Sequence, residues 1–358
     1  MSARELRKFL YKFSPETVEP SNLRRVADQK GWRTDVAGPL IMPVERDILT
    51  FDTFAVMAEL SGEALQFGGG TLLNWAYAAS SPRFSFDVDS QLKSPAVTKE
   101  EILDTLVTEI NDELRKAKKI VSLDFGGKEL EIGSILFDRE KDHFADVLSL
   151  KRPVFSNTTG AEAHVYLRKE PEISRDTSRD GLKLKEAFGG RMPRIDDVRV
   201  EIGIPKSDKD RFPYSKFKVR PLVAPAVQVE PVQASVTVKE FIMGLKIFKL
   251  GKDFEEAEEE LALVDFVKSL CDIWACSTSY EYESLTKYLK QICKDRRTTP
   301  ERVRSESIKR ISKLGESGKA KDWFERSGQT SFVARSVSFA EVCRATREVV
   351  DKVEIEST

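Results

Sequence analysis

FGGGTLLNWAYAASSPRFSFDVD, residues 67–89, is the stretch from which the fold is read. An apolar run, ALQF, enters three consecutive glycines, Gly68 to Gly70, and TLLNWAYAA leaves them. That order predicts a short strand, a glycine turn and a helix. RFSFDVDSQL then alternates, with Phe84, Phe86 and Val88 on one side and Ser85, Asp87 and Asp89 on the other, which predicts a strand with a polar face. Asp87 and Asp89 share that face. Two neighbouring carboxylates repel each other, and a cation between them relieves the cost. Mg2+ (or Mn2+) suits such oxygen ligands and keeps positions open for phosphate. Gly69, Gly70 and Thr71 supply the complementary half, because glycines let backbone N–H groups approach an anion closely. Thr71 adds a hydroxyl at the positive end of a helix. A D-x-D or a Gly-Gly-Thr alone says little; their order along one short stretch is the specific signal.

Outward from this stretch, Val44–Leu60 is apolar at helical spacing and Gly62 is expected to end that helix. Ser21-Asn22 is expected to cap a helix that stops at Gly31. On the other side, residues 98–118 predict an amphipathic helix with Thr98 as cap and Glu101 three residues on. KIVSLDF, KELEIGSILF, AHVYLRK and DVRVEIGI read as strands, and the charged stretch 170–197 as a long loop. From Val238 the pattern is helical to the end, with VKEFIMGLKIFKL and EELALVDFVKSLCDIWAC as two helices and Thr299-Pro300-Glu301 as a further helix start. The organisation expected is an α/β domain with N-terminal helices over 1–235 and an α-helical domain over 236–358.

Composition bounds the partners. With 40% hydrophobic and 33% charged residues, the chain has the make-up of a soluble globular protein and not of a disordered one. A net charge of −1 leaves the whole chain without attraction for polyanions, so any nucleic-acid surface must be a local patch. Cys271, Cys276, Cys293 and Cys343 form no CxxC pair and read as free thiols of a reducing compartment. Only His143 and His164 are present, which disfavours histidine-rich metal sites and most histidine-based triads. No leader-like N-terminus and no long apolar run is found, so a cytoplasmic protein with no membrane partner is expected.

Gly69, Gly70, Thr71, Arg83, Ser85, Asp87 and Asp89 together resemble the signature of the AbiEii/AbiGii-type nucleotidyltransferases, toxins of type IV toxin–antitoxin and abortive-infection systems. The resemblance implies a DNA-polymerase-β-like nucleotidyltransferase fold, a mixed sheet with flanking helices and a C-terminal α-helical domain. It also implies a third carboxylate from a neighbouring strand. Glu201, between Val200 and Ile202, fits that place; Asp124 and Asp146 are rivals. Lys246 looks like the family's phosphate-contacting lysine, and Asp272 like the aspartate that orients that lysine or the base. The chain departs from the family at Leu245, where an acid is usual, and at Lys268-Ser269, where Arg-Asp is frequent. The activity implied is Mg2+-dependent transfer of a nucleoside monophosphate from an NTP to an acceptor hydroxyl. The implied acceptor is RNA, foremost the 3′ end of tRNA, with a protein hydroxyl as the alternative, and a cognate antitoxin is implied as partner. A different class, an inactive nucleotide- or RNA-binding module on the same fold, is disfavoured by the intact D-x-D.

Other features admit two readings. Arg83 could bind phosphate bidentately or pair with an aspartate. Ser85 could orient the aspartates or bond to backbone. From Lys287 to Lys321 the chain is basic, either a phosphate-binding face with Tyr282 and Tyr288 as stacking partners or an ordinary solvated face paired with the acids of 255–260. Cys271, Trp75 and Tyr77 read as packing residues.

Overall fold

The computed structural model describes residues 20–29, 41–78, 83–85, 87–93, 108–109, 111–113, 115–116, 121–125, 128–132, 135–142, 145–154, 194–203, 205, 211–224, 226–252, 256–327 and 329–353. These fall into two compact units. The first draws on Met1–Gln66, Phe86–Arg211 and Lys218–Ala234, the second on Phe67–Ser85, Phe212–Phe217 and Ser235–Thr358.

In the first unit, helix α1 spans Pro20–Gln29 and α2 spans Ile41–Leu60. Helix α1 begins at Pro20, one residue ahead of the expected Ser21-Asn22 cap, because proline's fixed φ suits the first helical position. Every residue of α2 from Asp47 to Ala58 is buried, the polar Asp47, Thr50, Asp52 and Thr53 among them, so this stretch of the helix lies wholly within the unit rather than on its surface. Gly62, at φ +55°, turns the chain out of it in the left-handed region that glycine occupies without penalty. Strand β1 (Leu65–Gly68) follows, and its start lies against β2 (Asp87–Leu92) through a Gln66 Nε2 to Gln91 Oε1 hydrogen bond of 3.3 Å. Strands β3 (Val121–Phe125) and β4 (Lys128–Ile132) form an antiparallel pair. Strands β5 (Ile135–Asp142), β6 (Ala145–Val154) and β7 (Arg194–Gly203) run antiparallel to one another in order, and β7 pairs in parallel with β2. The sheet is therefore mixed, and α2 packs against β2, β6 and β7.

Three strand expectations change. KELEIGSILF is two strands, β4 and β5, not one. Strand β7 starts at Arg194, inside the stretch read as loop. The run RFSFDVDSQL is strand only from Asp87. Ahead of it, the Arg83 N–H donates to Asn74 Oδ1 at 3.0 Å and the Phe84 N–H to the Gln329 carbonyl at 2.9 Å. Those donors are taken by a side chain and a loop, so no strand ladder forms there. AHVYLRK, residues 170–193, the Thr98/Glu101 helix start, His143 and His164 lie outside the described residues.

The second unit opens with α3 (Gly69–Leu72), continued by a π-helical turn at Leu73–Tyr77. Strands β8 (Tyr214–Val219) and β9 (Val232–Thr237) begin or end here, and Val236 of β9 is level with Phe67 of β1 in parallel pairing. The remainder is helical: α4 (Lys239–Gly251), α5 (Glu256–Cys276), α6 (Tyr282–Asp295), α7 (Pro300–Glu316), α8 (Gly318–Arg326), α9 (Ser331–Ser336) and α10 (Phe339–Lys352). Helix α4 lies at the centre and touches α5, α6 and α7. Gly251 allows that closeness, since a Cβ there would overlap the Val303 carbonyl of α7. One continuous apolar core joins Leu73, Ile247, Leu270, Leu289, Ile311 and Val350. Helix starts follow the sequence signals: Thr299 Oγ1 accepts from Arg302 N, with Pro300 at the first position, and Ser338 Oγ accepts from Glu341 N. No helix among the described residues is long and apolar enough to cross a membrane.

Candidate active site

The second unit holds a charge cluster built around Asp272, which is fully buried on α5. Arg83 grips it with two hydrogen bonds, Nε to Oδ1 at 2.7 Å and Nη2 to Oδ2 at 2.9 Å. Such a two-point grip matches the planar guanidinium to the planar carboxylate. Lys246 Nζ of α4 stands 3.1 Å from Asp272 Oδ2. Asn74 Nδ2 donates to Asp272 Oδ1 at 3.0 Å and to the Gly70 carbonyl at 2.7 Å. Burial alone would raise the Asp272 carboxyl. The Arg83 and Lys246 charges, with hydrogen bonds from Arg83 and Asn74, outweigh burial and hold it below the usual carboxylate range. Asp272 is thus a fixed buried anion balanced by two cations, of which Arg83 is 3% exposed and Lys246 19%.

The glycine turn sits against this cluster. Gly69 has φ +69°, a left-handed conformation that a side chain would strain. Gly70 is buried, and a Cβ on it would overlap Arg83 Nη2 and lie 3.2 Å from Asp272 Oδ2. Thr71 is buried at the start of α3. Of the two readings for Arg83, the aspartate pair is the one formed. Asp272 touches both Lys246 and Arg83. Ser85, two residues after Arg83, is buried and outside any strand. Asn74 was not anticipated. Its one sequence signal is its position four residues after Gly70, where a helical side chain reaches back to the carbonyl.

In the first unit, Asp87 and Asp89 are half-buried on β2 while Val88 between them is fully buried, as the alternation requires. Asp87 is level with Arg199 and Asp89 with Glu201 of β7. The rivals for third carboxylate stand elsewhere. Asp146, on β6, is level with Ile202, one residue out of register with Glu201, and Asp124 belongs to the separate β3–β4 pair. Among the described residues no three His, Cys, Asp or Glu side chains gather as a metal site; the side chain of Glu201 lies outside them. Asp87 and Asp89 themselves are a hard-oxygen pair of the kind Mg2+ takes.

Other expectations resolve into packing. All four cysteines are free and buried; burial pushes Cys276 and Cys293 up to about 12 and Cys343 to about 11. They are inert core residues. Tyr77 donates its hydroxyl to the Thr237 carbonyl and its ring meets Phe217 at 5.2 Å. Tyr288, for which stacking on bases was one of two readings, meets Phe241 edge-on at 5.6 Å. Arg310, expected on the basic face, is buried: it donates to the Leu250 and Lys252 carbonyls and its guanidinium lies 4.8 Å from the Phe266 ring centre. It closes the end of α4.

By sequence, the chain matches no protein-family model and no curated protein. By structure, it is similar to MenT4, a nucleotidyltransferase toxin from Mycobacterium tuberculosis H37Rv, with a TM-score of 0.50 over 92% of this chain and 89% of that one, at 15% identity. The fold is that of a nucleotidyltransferase toxin. The mixed sheet and helical C-terminal part of this nucleotidyltransferase-toxin fold agree with the fold expected from residues 67–89.

Proposed function

We propose that the chain is a nucleotidyltransferase that moves a nucleoside monophosphate from an NTP to an acceptor hydroxyl, with RNA, foremost a tRNA 3′ end, as acceptor. The observation that carries this reading is the Asp87/Asp89 pair on β2, with Glu201 level with Asp89 on the adjoining strand. Asp87, Asp89 and Glu201 would hold a divalent cation such as Mg2+, which supplies charge neutralisation at phosphate. Glu201 also orients the acceptor hydroxyl and receives its proton. The hydroxyl oxygen bonds to the α-phosphorus, the bond to the β-phosphate oxygen breaks, and pyrophosphate leaves. Gly69, Gly70 and Thr71 offer backbone N–H groups and a hydroxyl to the NTP phosphates, with Ser85 as a further hydroxyl. Lys246 supplies a cation to the same phosphates, held in place by Asp272, which Arg83 and Asn74 fix in turn. Rate would come from positioning and preorganised charge. Toxicity, a cognate antitoxin and residence in the cytoplasm complete the proposal.

The test is incubation of the full chain with Mg2+, total RNA and each α-labelled NTP in turn. Label in RNA is expected, with one nucleotide preferred. Label on protein would replace the RNA acceptor with a protein hydroxyl. NTP binding with no label anywhere would overturn the enzyme in favour of a nucleotide-binding module.

A further inference from the structure

Helix α6 buries Leu285, Leu289, Ile292 and Cys293 against the helical core. On its outer side Lys287, Lys290 and Lys294 stand exposed at a spacing of three and four residues, with Gln291 beside them, and Arg296 and Arg297 continue the row beyond the helix end. None of these five cations has an ion-pair partner among the described residues. Elsewhere on the helical unit several exposed cations are paired: Lys309 with Glu306 and Arg326 with Asp322 at 2.7 Å, Arg344 with Glu348 at 2.5 Å, and Arg347 with Asp351 at 3.5 Å. Cations near a helix C-terminus are favoured by the helix dipole, but that effect fades within the last turn. It accounts for Lys294, Arg296 and Arg297; Lys287, four residues after the exposed Glu283, forms no ion pair with it, and Lys290 lies more than a turn back from the helix end. Arg297 adds a second oddity. It sits at φ +55°, the left-handed position after a helix where glycine is the favoured residue, with the following Thr298 N–H closing on the Cys293 carbonyl at 3.0 Å.

We propose that this face of α6 is a docking surface for the phosphodiester backbone of a double-helical nucleic acid. By the helical rise, Lys287 to Lys294 extends about 10 Å along the axis, a line of charge that matches a row of phosphates. The surroundings exclude the other polyanion partners. A membrane-binding helix needs an apolar face to insert and a protein interface needs an apolar or aromatic centre. Tyr214, on β8, is the one exposed large hydrophobic residue among the described residues. A single strand would need exposed rings to stack its bases, and Tyr288 is turned onto Phe241. What remains is a surface on which the five cations outnumber the exposed acids Glu283 and Asp295 at the two ends of α6, and such a surface reads phosphates and not bases. The inference does not depend on the transfer reaction: a chain without activity would still bind through α6.

The experiment measures binding of the full chain to a short labelled RNA duplex and to a DNA duplex of the same sequence, by fluorescence anisotropy between about 50 and 200 mM salt. The triple variant Lys287→Ala/Lys290→Ala/Lys294→Ala is expected to bind about tenfold or more weakly, with the slope of log affinity against log salt reduced by about 3. Arg344→Ala/Arg347→Ala, which removes paired cations, is expected to keep the parental slope. Arg297→Gly is expected to raise the melting temperature while weakening binding, a combination that a purely structural arginine would not give. The same loss on both duplexes is expected, because the cations meet the phosphodiester backbone that the two share. Parental slopes in the triple variant, or binding of polyglutamate with the same salt dependence as the duplexes, would overturn the proposal, the latter in favour of an acidic protein.

Discussion

Asp272 carries its charge without access to solvent, balanced by Arg83 and Lys246. Removing one side of a buried pair strands the other. Arg83→Ala is therefore expected to destabilise the chain by about 3 kcal/mol, read as a lower midpoint in denaturant unfolding. Asp272→Asn leaves Arg83 buried without its counter-charge and is expected to act in the same direction. The acid limb of stability follows from the sign of the shift. The native Asp272 carboxyl lies below its unfolded value, so its stabilisation is fully present above the usual carboxylate range and is lost as pH falls through the native value. A parent that loses melting temperature on acidification, against a flatter Asp272→Asn profile, is the expected result. At this scale the sequence was partly legible. Asp87 and Asp89 are local, two residues apart, and their alternation with Val88 is enough to place them on one face. Lys246 and Asp272 were reachable by resemblance to a family pattern. Asn74 was not, because its role requires an aspartate 198 residues away and no local pattern encodes that meeting.

At the scale of elements, the glycine turn is the piece whose backbone most constrains the site. Gly69 at φ +69° tolerates no side chain without strain, so Gly69→Ala is expected to cost about 1–2 kcal/mol. The same substitution at Gly70 sets a methyl group against the Arg83 guanidinium and is expected to weaken NTP binding as well as stability. NTP titration followed by calorimetry, alongside denaturant unfolding, separates the two effects. Strand, turn, helix and D-x-D strand were all legible in residues 67–89, since apolar runs, glycines and alternation are local signals. The start of β2 was misjudged by four residues. Arg83 to Ser85 alternate as a strand does, but the backbone donors of Arg83 and Phe84 are taken by Asn74 and Gln329, partners that alternation does not reveal. The basic run was misjudged in the same way at Arg310, whose partners are carbonyls at the far end of α4.

At the scale of the molecule, a net charge of −1 coexists with an unpaired row of cations on α6, which is why whole-chain charge alone gave no hint of a surface for polyanions. The fold connects the chain to a nucleotidyltransferase toxin at 15% identity, where few residues are shared and the chemistry must be argued from the site. The proposed chemistry rests on Asp87 and Asp89. The most direct measurement is transfer of α-labelled nucleotide by the parent and by Asp87→Asn, at equal protein concentration and with melting curves to show that both are folded. The account predicts transfer by the parent, and a loss of at least about a hundredfold in Asp87→Asn without loss of melting temperature. Equal transfer by both proteins would contradict it.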